Sequence, residues 1–167
     1  MITKCRSCQS ENLTPVLSLG DQCLSDFVSG DEKSEKFPLN LVLCKNCTLV
    51  QLRETTPPGK LYNDHYGYKS GINDTMKKEL SCIVSEAIKR LDLNSGDIVL
   101  SIGENDGTLL SYCPDYVIKI GVEPISKLAK QCEKHADFVI NDFWSYESYE
   151  REVTEEKLSN LRKRNNP

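Results

Sequence analysis

Between Ile98 and Ile140 the apolar residues come in short, nearly unbroken runs: Ile98-Val99-Leu100-Ser101-Ile102, Tyr116-Val117-Ile118-Lys119-Ile120-Gly121-Val122 and Phe138-Val139-Ile140. Runs of this length predict strands buried on both faces of a parallel sheet. A short helical stretch after Gly107 and a longer one around Ser126 to Lys134 are expected between them. Such alternation implies parallel strands joined by right-handed crossovers, an α/β fold. Upstream the period changes. Met76, Leu80, Ile83, Val84, Ala87, Ile88 and Leu91 recur at spacings of three and four, which predicts a helix with one apolar face. Asn73, Asp74 and Thr75 offer N-cap side chains for its first turn. Cys82 adjoins Ile83 on this helix and is expected to be a small core residue.

These patterns divide the chain. Residues 1–60 end at Thr55-Thr56-Pro57-Pro58-Gly59, a clear breaker. Residues 61–92 form a connector, a tyrosine-rich loop followed by the helix, and residues 93–148 carry the α/β pattern. Residues 149–167 read as a charged tail with few apolar anchors, in which Lys157, Arg162, Lys163 and Arg164 form a solvated end.

Composition narrows the function classes. Of the 167 residues 38% are hydrophobic and 28% charged, the balance of a soluble globular protein of one ordinary domain or two small ones. A net charge of −4 leaves no basic excess for nucleic acid. No apolar run approaches a bilayer-spanning length, and Met1 to Cys5 lacks the apolar stretch of a signal peptide. The expected setting is the cytoplasm, with reduced thiols and no membrane partner. Eight cysteines there suggest metal ligands plus buried thiols rather than disulfides.

Cys5-Arg6-Ser7-Cys8 and Cys44-Lys45-Asn46-Cys47 are two C-x-x-C turns. Each presents two sulfurs to one ion, and together they supply the closed tetrahedral set of a structural zinc site. A redox role would need only one such pair on a βαβ unit, and chance pairs of reduced thiols are the plain alternative. Zinc also accounts for how so short a segment folds with little core of its own. Cys23, Cys82, Cys113 and Cys132 have no partner at ligand spacing.

The first parallel strand runs into Gly103-Glu104-Asn105-Asp106-Gly107, a glycine-bearing loop at the place where such folds bind nucleosides. Glu123, at the end of the second strand, stands where an acid hydrogen-bonds ribose hydroxyls. The loop has glycine only at its ends, and Glu104 and Asp106 would repel a pyrophosphate, which disfavours a dinucleotide. S-adenosylmethionine, with its sulfonium and ammonium groups, suits an acidic loop. Loop amides or a helix N-terminus would receive its carboxylate. A tight turn without a ligand remains the bland alternative. After the third strand, Asp142 is placed to take an adenine amino group and Phe143 to flank the ring; a surface acid and a core aromatic fit equally well.

In these residues the chain resembles the sugar C-methyltransferases that act on nucleotide-linked deoxysugars and begin with a zinc-binding domain. The resemblance is carried by the two cysteine pairs, Leu17-Ser18-Leu19-Gly20, Phe37-Pro38-Leu39 and Cys47-Thr48-Leu49-Val50-Gln51-Leu52. It continues through Tyr66-Gly67-Tyr68-Lys69-Ser70-Gly71, Ile102 to Leu110, and Gly121-Val122-Glu123-Pro124. Glu104 departs from the serine expected at its position.

The resemblance implies a Rossmann-like, class I methyltransferase sheet with Gly103, Asn105, Asp106, Gly107, Glu123 and Asp142 toward the cofactor. It implies methyl transfer to a sugar carbon beside a ketone: a base removes the α-proton, and the enolate attacks the sulfonium methyl. Tyr66 or Tyr68 would hydrogen-bond the enolate and His65 would exchange a proton; packing of the tyrosines onto the helix is the alternative. Family members continue well beyond this length, into a half that supplies the remaining strands and further catalytic groups. The chain is accordingly expected to be an N-terminal part, inactive alone, with Ile98–Ile102 left as an unpaired edge unless a second polypeptide completes the sheet. A non-catalytic zinc-ribbon module with a vestigial nucleoside fold is the reading from another class.

Overall fold

A computed structural model of the chain describes residues 1–24 and 28–165. It divides into two compact units, residues 1–67 and residues 68–167.

The first unit is an antiparallel sheet of three strands, β1 (Leu13–Cys23), β2 (Lys36–Cys44) and β3 (Val50–Leu52), followed by a single helical turn, α1 (Pro58–Leu61). Pro58 opens that turn, where a missing N–H costs nothing. The β1–β2 register slips between Pro15 and Leu17 and again between Ser18 and Asp21, so β1 is bulged and largely exposed. The buried residues of this unit are few among those described: Cys5, Val42, Cys44 and the polar Gln51. So little apolar burial cannot hold a fold by itself.

The second unit opens with a 3-10 turn at Ser70–Ile72 and α2 (Asp74–Arg90). Asn73 caps α2, its side-chain oxygen accepting from the backbone N–H groups of Thr75 and Met76. Three parallel strands follow, β4 (Ile98–Ile102), β5 (Ile118–Val122) and β6 (Phe138–Ile140), side by side in that order. Between β5 and β6 runs α3 (Ser126–Cys132), whereas the stretch after Gly107 forms only a 3-10 turn at Leu110–Tyr112. The chain closes with α4 (Tyr146–Glu152) and α5 (Glu155–Asn165).

Both faces of β5 are buried. On one, Ile118, Ile120 and Val122 pack with Ile140, Val153 and Leu158. On the other, Val84 of α2, Leu110, Cys113, Val117 and Cys132 form a second cluster, with Val99 and Val139 against it.

Four expectations are corrected. β4 is not buried on both faces: Ile98, Leu100 and Ile102 are exposed, because α4 and α5 cover β5 and β6 but stop short of it. The stretch from residue 149 is not a loose charged tail, although Lys157, Arg162 and Lys163 are exposed as expected. It forms most of α4 and all of α5, and Tyr149, Val153, Leu158 and Leu161 are the anchors, spaced so widely among charges that the sequence hides them. Asn166 and Pro167 lie outside the described residues. Cys82 is exposed, whereas Cys113 and Cys132 are buried. Ile83, Ala87 and Leu91 also lie on the outer side of α2, whose inward line runs through Val84 and Ile88. No helix among the described residues is long and apolar enough to cross a membrane.

Candidate functional site

The two C-x-x-C turns converge. The register Leu13↔Cys44 between β1 and β2 brings the second turn beside the first, and the Lys45 N–H donates to the Asn12 carbonyl at 2.9 Å. All four sulfurs lie within 4.8 Å of one another, with Cys5–Cys47 and Cys8–Cys44 both at 3.6 Å. Zinc–sulfur bonds of about 2.3 Å in a tetrahedron put sulfurs roughly 3.8 Å apart, so the cradle has the size of a zinc tetrathiolate.

The electrostatics agree. The Cys8 backbone N–H draws the Cys5 thiol down to about 6, against the effect of burial and aided by Gln51. The Asn46 amide holds Cys8 below the ordinary thiol range. Cys47 receives the Leu49 N–H, yet the Cys8 sulfur and burial push it up to about 12. Four sulfurs this close do not ionise together unless a cation stands among them.

The second candidate site lies at the carboxyl ends of β4 and β5. The N–H groups of Gly103 and Glu104 both donate to the Val122 carbonyl, at 2.8 and 3.0 Å, which folds the loop over the end of β5. Glu123, 4% exposed, accepts the Asn105 N–H on Oε2 at 2.9 Å and the Ile125 N–H on Oε1 at 2.8 Å. The glycine loop and the acid after β5 are therefore one assembly. Gly107 has φ +88°, and a Cβ there would lie 2.9 Å from the Cys132 backbone, so α3 fits against the loop only because this residue is glycine.

Much of the loop's polar capacity is spent on the protein itself. Asp106 accepts the Gly71 N–H on Oδ2 at 2.9 Å, and the N–H and hydroxyl of Thr108 on Oδ1. Asn105 accepts the Ser70 N–H at 2.9 Å and donates to the Tyr68 carbonyl at 3.4 Å. Glu104 turns inward: Oε1 accepts from the Leu110 N–H at 3.0 Å, and Oε2 is buried with no hydrogen-bond partner among the described residues. Burial, partly offset by Ser101, pushes its carboxyl above the usual range. The acidity of the loop is thus largely internal, and Glu104 does not present a charge to a ligand. The sequence showed two carboxylates in the loop, but not which way they point.

Asp142 follows β6. Arg151 Nη2 donates to it at 3.1 Å and holds its carboxyl below the usual range, with help from the Phe143 N–H. Phe143 itself is 40% exposed. Tyr68 belongs to the second unit and meets the loop through its carbonyl. His65 and Tyr66 belong to the first, where the His65 N–H donates to the Asn63 side chain and the Tyr66 and Tyr62 rings stand 5.7 Å apart.

Sequence reasoning missed the groups that hold these residues: Gln51 and Asn46 on the sulfurs, Ser70 and Gly71 under the loop, and Arg151 on Asp142. Gln51 left a signal. It is the one inward position of β3, and it is polar.

Comparison with known proteins bears on the first site and on the family likeness of the chain. Residues 5–62 match a methyltransferase-associated family model described as a zinc binding domain. The chain is also 30% identical over 133 residues to the C-methyltransferase NovU of Streptomyces niveus, an alignment covering 77% of this chain and 31% of that protein. The chain thus spans about a third of the length of that relative. The family match and the cysteine geometry together support zinc in the first unit.

Proposed function

From a chain with the zinc domain of its family match and a likeness to a C-methyltransferase, we propose part of an S-adenosylmethionine-dependent C-methyltransferase acting on a nucleotide-linked keto-deoxysugar. One observation carries this reading: the hydrogen bond from the Asn105 N–H to Glu123 Oε2 at 2.9 Å, which joins the glycine loop to the acid at the carboxyl edge of parallel strands. That is where nucleosides bind in open α/β sheets, and it supports a Rossmann-like assignment.

The residues fit the cofactor. Each Glu123 oxygen accepts one backbone N–H, which leaves lone-pair capacity for ribose hydroxyls. Gly103, with no side chain, lets a ligand approach the loop backbone, while Asn105, Asp106 and Gly107 keep that backbone in place. When bound, S-adenosylmethionine supplies an electrophilic methyl group. We assign Asp142 and Phe143 to the adenine end and Tyr68 to the sugar, where its hydroxyl would hydrogen-bond the enolate oxygen. The first unit's zinc is structural, since four protein thiolates leave it no open position. The open edge of β4 supports a chain that does not turn over alone and whose sheet another polypeptide would complete. A cytoplasmic setting accords with free cysteines.

A second reading, a zinc module with a nucleoside-like fold that binds nothing, is favoured by the internal use of Asp106 and Asn105. Calorimetric titration with S-adenosylmethionine separates the two. Heat of binding that S-adenosylhomocysteine displaces supports the methyltransferase reading, and a flat titration on folded, zinc-loaded protein overturns it. Incubation with labelled cofactor and a panel of nucleotide-linked keto-sugars tests the rest. Label transferred by the chain alone would overturn the assignment of an inactive part.

A further inference from the structure

A zinc ion held by four thiolates carries two net negative charges, and a buried site of that charge needs N–H donors aimed at its sulfurs. Two side-chain amides approach the sulfurs. Asn46 Nδ2 lies 3.5 Å from Cys8 Sγ but is exposed, where water can substitute for it. Gln51 Nε2 lies 3.2 Å from Cys5 Sγ, and Gln51 is 8% exposed.

The orientation of the Gln51 amide is not arbitrary. Its Oε1 accepts the backbone N–H of Arg6 at 3.0 Å and Arg6 Nη1 at 3.4 Å, so the NH2 end must face the sulfur. Arg6 belongs to the first C-x-x-C turn and also reaches the Leu52 carbonyl and the Thr55 hydroxyl. One amide therefore joins β3, the backbone of the first turn and the sulfur of its first cysteine.

We propose that Gln51 is a positioning residue of the zinc centre: its side-chain N–H donates to the Cys5 thiolate, fixing that ligand's orientation and offsetting its charge. Groups outside the ligand set that act this way alter metal affinity by about 10–100-fold when lost. The inference rests on the four cysteines holding a metal. A preparation that takes up no metal fails that reading, whereas a metal-loaded protein without the following signatures fails this one alone.

Cadmium-113 in place of zinc tests the wild-type protein directly. An N–H···S–Cd hydrogen bond transmits a scalar coupling, so a cadmium–proton correlation to the Gln51 side-chain amide is expected beside those to the cysteine β-protons. Cysteine correlations without the Gln51 one would overturn the proposal. Gln51→Glu is the informative variant, because a carboxylate still accepts from Arg6 but cannot donate to sulfur. In competition with a chromogenic chelator, Gln51→Glu should hold zinc about 10–100-fold more weakly than wild type. In cobalt-loaded Gln51→Met, loss of the donor should shift the sulfur-to-cobalt charge-transfer band to lower energy. Wild-type zinc affinity in Gln51→Glu, or an unmoved band in Gln51→Met, would mean that Gln51 only braces Arg6 and would overturn the proposal.

Discussion

Asp106 Oδ2 accepts the backbone N–H of Gly71 at 2.9 Å, and a Cβ on Gly71 would lie 2.6 Å from that same oxygen. Thr108 Oγ1 would be only 2.8 Å away. The segment before α2 can lie on the glycine loop only with no side chain at this point. Gly71→Ala is expected to destabilise the second unit by about 1–3 kcal/mol, the usual cost of overpacking. Thermal melts of the purified variant check this, and a melting temperature equal to wild type would show that the segment moves aside freely.

Zinc should be present at one equivalent per chain. Cys44→Ser is expected to unfold residues 1–67, whose core is little more than the cysteines and Val42, and to leave β4, β5 and β6 folded. Acid should have the same effect, since protons and zinc compete for thiolates: lowering the pH releases metal, and raising it restores binding. Elemental analysis and amide hydrogen exchange read both outcomes.

Glu104 gives a pH dependence of the opposite sign to an ordinary paired carboxylate. Burial raises its pKa in the folded state above the ordinary carboxylate value, so between the two values the folded chain holds a proton that the unfolded chain has lost. The contribution of Glu104 to the stability of the second unit is therefore fully present below the unfolded pKa and is lost as pH rises through the folded one. Glu104→Gln should be neutral near pH 4 and increasingly stabilising toward neutral pH, by about 1–3 kcal/mol. Denaturant melts at several pH values check it; a pH-independent difference would mean that Oε2 is solvated by ordered water.

Glu123→Ala removes a carboxylate that holds two backbone N–H groups, so its effect has two parts. Loss of stability is expected first, and weaker nucleoside binding by about 1–3 kcal/mol second. Melts and calorimetry on the same preparation separate them. Unchanged cofactor affinity in the folded variant would place the ribose elsewhere.

How much of this was legible beforehand follows from what each element rests on. The cysteine cradle was legible because two fixed-spacing turns need only meet. The strands β4, β5 and β6 were legible because each is a short apolar run. Their burial was not: periodicity cannot say which strand stands at an edge, and Ile98, Leu100 and Ile102 look no different from Ile118, Ile120 and Val122 until the neighbours are known. The glycine loop was found by its position after β4, but the inward turn of Glu104 and the strap at Ser70 and Gly71 depend on side-chain direction. α5 was missed because Leu158 and Leu161 are two anchors among many charges, too few for a period to show.

The open edge of β4 makes its own prediction. Ile98, Leu100 and Ile102 line up on one exposed face, beside main-chain groups that have no strand partner on that side among the described residues. Leu100→Lys should raise solubility with little loss of stability, because a charge at an exposed edge blocks strand addition. Light scattering across a concentration series tests it. Equal aggregation in both proteins would put the sticky surface elsewhere.

The hairpin of β1 and β2 also sets the order of events during synthesis. Cys5 and Cys8 leave the ribosome long before Cys44 and Cys47, and closing a loop of that length on a metal alone would cost on the order of 3 kcal/mol in chain entropy. The Leu13↔Cys44 register meets that cost in advance, since the hairpin draws the two turns together as it zips. Hairpins form in about 1–10 μs, far faster than residues are added, but one with so little buried surface opens again as readily. The ion then acts as a latch on a door already swinging shut.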